Sequence, residues 1–267
     1  MDLIRINNEH FFAKKMRADG RKFMEHRDFL ANMNPIDTAD SSNIIKLGDT
    51  TVLCGIKFMD EGKKSPEDLI DIVILPYPLE EEMSDGQEIR RKLTKLLEDH
   101  QIVDNESLAY TDSEGEKYYL SISIELDCLN GDGNIFDAFL LALLGTLNLS
   151  HVPNLSLLNG DPSGFMDASD YKSSRAKLKL LKCPIPVTFA IIRQDVILLD
   201  PTREEEQLAN GKIKVVFDTL TGTIMLVEKD GGQPLPESTL IKLISSAKAY
   251  SSKFYKTSDL FHLEPST

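Results

Sequence analysis

Residues 117–150 constrain the fold more than any other stretch. KYYLSISIELDCL (117–129) alternates apolar and polar side chains as a half-buried strand does, and LNGDGN then turns directly into the most apolar helix of the chain, over 135–147. Gly131 and Gly133 lie just before that helix N-terminus, where unpaired backbone N–H groups and the positive dipole end can receive a phosphate. An anion site that works in water normally adds a Lys or Arg to those donors. None occurs from Tyr118 through Tyr171, and Asp132 and Asp137 bracket the turn. The residues favour a capped helix, with Asn134 or Asp132 as cap, over a phosphate loop.

The rest of the chain arranges itself around that unit. NIIKLGDTTVLCGIK reads as a hairpin turned at Gly48-Asp49, and DIVILPY (71–77) as a further strand. Ile89, Leu93, Leu96 and Leu97 fall at helical spacing within 85–100. Residues 151–182 carry turn signals and no sustained period, as a connector does. The second half repeats the order: strands over 186–200 around Arg193-Gln194-Asp195, a hairpin over 212–229 turned at Thr221-Gly222, and a closing helix over 240–255 striped by Leu240, Ile241, Leu243, Ile244 and Ala247. Two strand-rich halves with helices on one side predict an α+β fold with internal duplication. Its expected divisions are a lead over 1–14, halves over 15–150 and 183–258 joined by the connector, and a tail over 259–267.

Charge narrows the function. A formal net charge of -13 repels phosphodiester chains unless Lys and Arg are gathered on one face, which disfavours an autonomous nucleic-acid binder. Cys54, Cys128 and Cys183 lack metal-ligand or CxxC spacing and read as buried thiols of a reducing compartment. No leader and no run of some eighteen apolar residues occurs, so an intracellular protein without membrane attachment is expected. The five histidines are scattered and read as surface or lightly buried residues, and no GxSxG elbow supports a nucleophilic triad. In LLDPTREEEQLANGK (198–212), Asp200, Glu204, Glu205 and Glu206 form an acidic cluster, a Mg²⁺ or acid–base site in one reading and a solvated turn in the other. No further acid follows Glu206 before Asp218, which favours the solvated turn.

RADGR at 17–21 followed by Arg27, then SSNIIKLGDTTVLCGIK, DCLNGDGNIFDAFLLALLGTL and LLDPTREEEQLANGKIKVVFD, in that order, resemble the RNase PH family. The resemblance spans nearly all of residues 15–255 and is closest to the family's non-catalytic ring-subunit branch in the eukaryotic RNA exosome. It implies an RNase PH-like (ribosomal protein S5 domain 2-like) duplicated β-α architecture, with mixed sheets and helices packed between the halves. Active members, which phosphorolyse RNA from its 3′ end, hold phosphate with a hydroxyl residue and an Arg directly after the loop glycine. Here Asn134 and Ile135 stand at those positions. Active members also place two aspartates six residues apart beyond the EE pair, and these positions fall on Glu206 and Lys212. A Lys cannot serve as a second carboxylate or ligate Mg²⁺.

The resemblance therefore implies an inert structural subunit with no cofactor and no metal. It supports 3′-to-5′ RNA processing and degradation, including ribosomal RNA processing and mRNA decay, in nucleus, nucleolus and cytoplasm. Its implied partners are other RNase PH-like ring subunits, an S1-domain cap, and RNA in the assembled channel. Relatives often carry arginines before the first long helix, whereas PLEEEMSDG (78–86) presents Glu80, Glu81 and Glu82; Arg90 and Arg91 follow closely. Arg203, Lys212, Arg90 and Arg91 are the candidates for RNA contact. The alternatives are a phosphorolytic exoribonuclease that uses Glu206 as acid and a relocated cation, and a protein-interaction module unrelated to RNA.

Overall fold

The computed structural model describes residue 8 and residues 10–75, 83–112, 114–153, 175–193 and 195–261. The acidic stretch containing Glu80, Glu81 and Glu82 lies outside the described residues, as do most of the connector and His262. Among the described residues no helix is long and apolar enough to cross a membrane.

The alternating segments pair as their periods require. β1 (Phe29–Met33), β2 (Ser41–Leu47), β3 (Thr50–Lys63), β4 (Ile70–Ile74), β5 (Ala109–Thr111) and β6 (Lys117–Asn130) form the first sheet, in order β1-β2-β3-β6-β4 with β5 on β6. All pairs are antiparallel except β4 with β6. That parallel pair needs a crossover, which includes α1 (Met83–Asp99) packed against β4. The β2–β3 hairpin turns at Gly48, whose φ of 58° a β-carbon would tolerate poorly.

α2 (Ile135–Leu149) follows β6 and is buried continuously from Phe136 through Leu147. A helix apolar on every side must be covered on every side. α2 achieves this by lying between the sheets, against β2, β3 and β6 on one side and β9 of the second sheet on the other.

The connector contributes β7 (His151–Val152) and β8 (Ala176–Lys177), which pair with each other. The second sheet is antiparallel throughout, in order β10-β9-β11-β12, from β9 (Pro184–Arg193), β10 (Val196–Leu199), β11 (Gly211–Asp218) and β12 (Ile224–Gly231). Between β10 and β11 sits a six-residue helix, α3 (Arg203–Leu208), which the periodicity did not predict. Closing helix α4 (Glu237–Thr257) lays Leu243 and Ala247 on Val187, Phe189, Val215 and Phe217. The duplication holds for hairpins and helices but not for pairing: the second sheet has no counterpart of the parallel β4–β6 pair.

Candidate functional site

The turn before α2 owes its shape to neighbours 66 or more residues away. Gly133 has a φ of 76°, and a β-carbon there would come within 2.5 Å of Arg203 N and Thr202 C, so the turn lies directly on the start of α3. Thr50 Oγ1 donates to Gly133 O at 2.8 Å, and Arg27 Nη1 donates to Asp132 O at 2.6 Å. Asn134 occupies the cap position of α2, left-handed at φ 54°, but its side chain makes no capping bond. Its amide donates instead to Asp200 at 2.7 Å and to Asp137 at 3.0 Å. The expected cap is corrected on both counts, since Asp132 Oδ1 accepts from the backbone N–H of Arg203 at 3.4 Å rather than closing α2. Two buried carboxylates outbid the helix end for the one amide, because an unpaired buried carboxylate is the costlier loss.

Asp200 is the hub. It is fully buried at the end of β10, and Arg27 grips it in a fork, Nε to Oδ2 at 3.0 Å and Nη2 to Oδ1 at 2.8 Å. Gly48 makes room for that arginine, since a β-carbon there would stand 2.5 Å from Arg27 Cδ. Burial raises the cost of the Asp200 charge, but His26 and Arg27, with the Asn134 amide, outweigh it and hold the carboxyl well below its ordinary range. Burial pushes the His26 imidazole down, so at neutral pH Arg27 carries the ionic share, with Arg21 Nη1 at 3.6 Å from Asp200 Oδ2. His26 itself stacks on Tyr250 at 4.6 Å in a partly buried setting.

The acidic run divides. Glu205 is 3% exposed, closes a capping box with Thr202, and accepts from Arg17 Nε at 2.7 Å and from Arg17 Nη2. Arg17 is fully buried and also donates to Leu199 O at 2.6 Å and Asp200 O at 2.8 Å. The solvated turn is thus corrected for Asp200 and Glu205, which are structural, while Glu204 is exposed. The Thr202-x-x-Glu205 spacing is a capping-box signature and was the sequence signal for α3.

Glu206 and Lys212 pair with each other, Nζ to Oε1 at 3.2 Å. They line a cavity of about 500 Å³ together with Asn134, Ile135 and Arg90. Five of the seven residues singled out in the sequence thus meet in one place. Arg91 and Arg203 are not part of its lining, and Arg90 reaches Asp71 at 3.1 Å across an exposed surface. The apolar wall includes Phe136 and Phe139. Lys92 and Lys214, which the sequence reading did not single out, also line it. Both are committed: Lys92 to Glu88 at 2.7 Å and Glu228 at 2.8 Å, Lys214 to Glu228 at 3.7 Å and to the face of Phe136 at 3.9 Å from the ring centroid. Behind Asn134, Asp137 accepts from Thr188 Oγ1 at 2.7 Å; burial pushes its carboxyl up to about 6 against that bond and the Lys214 charge.

The cavity thus brings together an amide already held by two carboxylates, the apolar Ile135 side chain and a paired Glu206 and Lys212. Two α+β halves stack on α2, with this pocket at the joint of α2 and α3.

The chain belongs to the 3′ exoribonuclease (RNase PH) family: domain 1 of the family matches residues 25–153 and domain 2 matches residues 182–250. An exosome complex component Rrp42 from Thermococcus gammatolerans is 30% identical over 227 residues, covering 81% of this chain and 79% of that protein. The Rrp42 of Methanothermobacter thermautotrophicus is 28% identical over 247 residues, covering 87% and 86%. Among solved structures, an archaeal exosome core chain superposes with a TM-score of 0.75 at 26% identity, covering 95% of this chain and 96% of that one.

Proposed function

We propose that this chain is a catalytically inert ring subunit of the RNA exosome, scaffolding the channel through which RNA is processed and degraded from its 3′ end. The observation that carries the reading is the Glu206–Lys212 ion pair at the acid positions. A carboxylate neutralised by its neighbouring ammonium is a poor general acid, and the ammonium cannot ligate a metal. The isoleucine at position 135 adds a second, independent loss. The likeness to Rrp42 chains of archaeal exosomes supports membership in a ring. In this reading the two halves over 15–150 and 183–258 flank the connector, sister RNase PH-like subunits and an S1-domain cap complete the assembly, and no cofactor is used. The eukaryotic subtype, called exosome component 8 or ribosomal RNA-processing protein 43, belongs to the proposal, as do roles in ribosomal RNA processing and mRNA decay in nucleus, nucleolus and cytoplasm.

The test has two parts. The purified chain, given RNA in phosphate buffer, should release no nucleoside diphosphate, and tagged chain should recover RNase PH-like ring proteins from cell extract. Release of diphosphates that is lost in Lys212→Ala and Arg203→Ala would establish the phosphorolytic enzyme instead, a reading to which the cations Lys92 and Lys214 in the cavity lend support. Recovery of no ring protein would leave an interaction module unrelated to RNA.

A further inference from the structure

A second cavity, of about 450 Å³, lies at the opposite end of α2. Asn148, in the last turn of that helix, lines it, whereas Asn134, Ile135 and Phe136 at the first turn line the acid-site cavity. A 15-residue helix separates them by about 22 Å. The second cavity is lined by Lys177, Lys179 and Lys182, by the aromatic rings of Tyr255 and Phe261, and by Leu220.

Its charge runs against that of the whole chain. From residue 175 to residue 183 the sequence reads RAKLKLLKC, four cations without a carboxylate, in a protein of net charge -13. Folding sorts this stretch by alternation: Leu178 is 2% exposed and packs in the main core, while Lys177 and Lys179 on either side of it are exposed. Lys179 pairs with Asp104 at 2.9 Å. Among the described residues, no carboxylate pairs with Lys177 or Lys182. Tyr255 and Phe261, both half-buried, stand 5.3 Å apart at 30° in the lining of the same cavity.

We propose that this face is a contact site for single-stranded RNA, with Lys177 and Lys182 on backbone phosphates and the Tyr255–Phe261 pair receiving a base. Cations that follow a backbone beside aromatic rings that stack bases are the general means of binding single strands without reading sequence. The gathering of cations on one face is also the condition under which an acidic protein can hold a phosphodiester chain. An acidic peptide would use the lysines but has no planar base for the rings, which is why RNA is the better fit. The alternative role for lysines near the carboxyl end of α2 is to complement its dipole, and that role predicts an effect on stability rather than on binding.

The choice of RNA as ligand rests on the exosome reading, but the test does not. The full-length chain is titrated into a labelled oligouridylate at several salt concentrations. Lys177→Glu/Lys182→Glu should weaken binding about tenfold or more and reduce the slope of log affinity against log salt by about 1.4, two phosphate contacts' worth, at unchanged Tm. Phe261→Ala should weaken binding about fivefold or more. Unchanged affinity and slope in the double lysine variant overturns the proposal, as does a drop in Tm without loss of binding. Polyglutamate that binds with the same lysine dependence while oligouridylate does not bind would also overturn it, assigning the face to an acidic peptide. Failure to recover ring proteins in the pull-down would refute the exosome reading and leave this titration to be judged on its own result.

Discussion

Asp137 and Asp200 share the Asn134 amide yet titrate in opposite directions, and the difference is measurable. Asp137, driven up to about 6 by burial, takes a proton more readily in the folded chain than in the unfolded one, where a carboxyl titrates near 3.9. The folded state therefore holds an extra proton between these values, and stability should fall as pH rises across that window, by about 3 kcal/mol, then level off. Asp200 is depressed, so its contribution is full above about pH 3.9 and is lost as acid titrates the folded carboxyl. Urea midpoints taken from pH 4 to 7 should show the decline in the wild type and a flattened profile in Asp137→Asn; a profile unchanged by that substitution assigns the slope to another group. Little of this was legible beforehand. Glu206, Lys212, Asn134 and Ile135 could be picked from the sequence because the resemblance to the RNase PH family marks those positions. The Arg27–Asp200 fork joins residues 173 apart, and the sequence offered only the two residues within segments singled out for other reasons.

At the scale of elements, the hydrophobic periods located most strands and helices, because period is a local property that burial enforces. They did not give the parallel placement of β4 on β6, which depends on where the crossover returns the chain, nor the left-handed turn that Asn134 adopts under the pull of distant carboxylates. The passage of α2 through the centre puts a demand on its single glycine. A β-carbon on Gly145 would lie 2.3 Å from Leu260 Cδ1 and 2.5 Å from Asn43 Nδ2, where the residues that follow α4 close over the helix. Gly145→Ala should destabilise by about 1–3 kcal/mol despite the better helix propensity of alanine. Leu260→Ala in the same chain should give part of that loss back, since it removes the nearer obstruction. Chemical denaturation of the single and double variants measures both, and losses that simply add would mean the two side chains do not meet.

Over the whole molecule, the amino-terminal segment ties the second sheet to the first through buried charge. Arg17 reaches Glu205 and the carbonyls of Leu199 and Asp200, and Arg27 reaches Asp200 from one side and the turn before α2 from the other. Arg17→Ala strands the Glu205 carboxylate and should cost about 3–5 kcal/mol. Limited proteolysis should then cut within residues 10–28 well before the rest of the chain. Arg17→Lys should recover only a part, because a point charge cannot reproduce the fork; full recovery would mean that charge alone holds the segment. Lys212→Asp by itself would remove the cation that pairs with Glu206 and set a second carboxylate near it. A cation introduced at position 135 by itself would enter a cavity wall shared with Phe136 and Phe139. Under the proposed reading of an inert subunit, a working site needs changes at both position 135 and position 212, so no single substitution should restore activity.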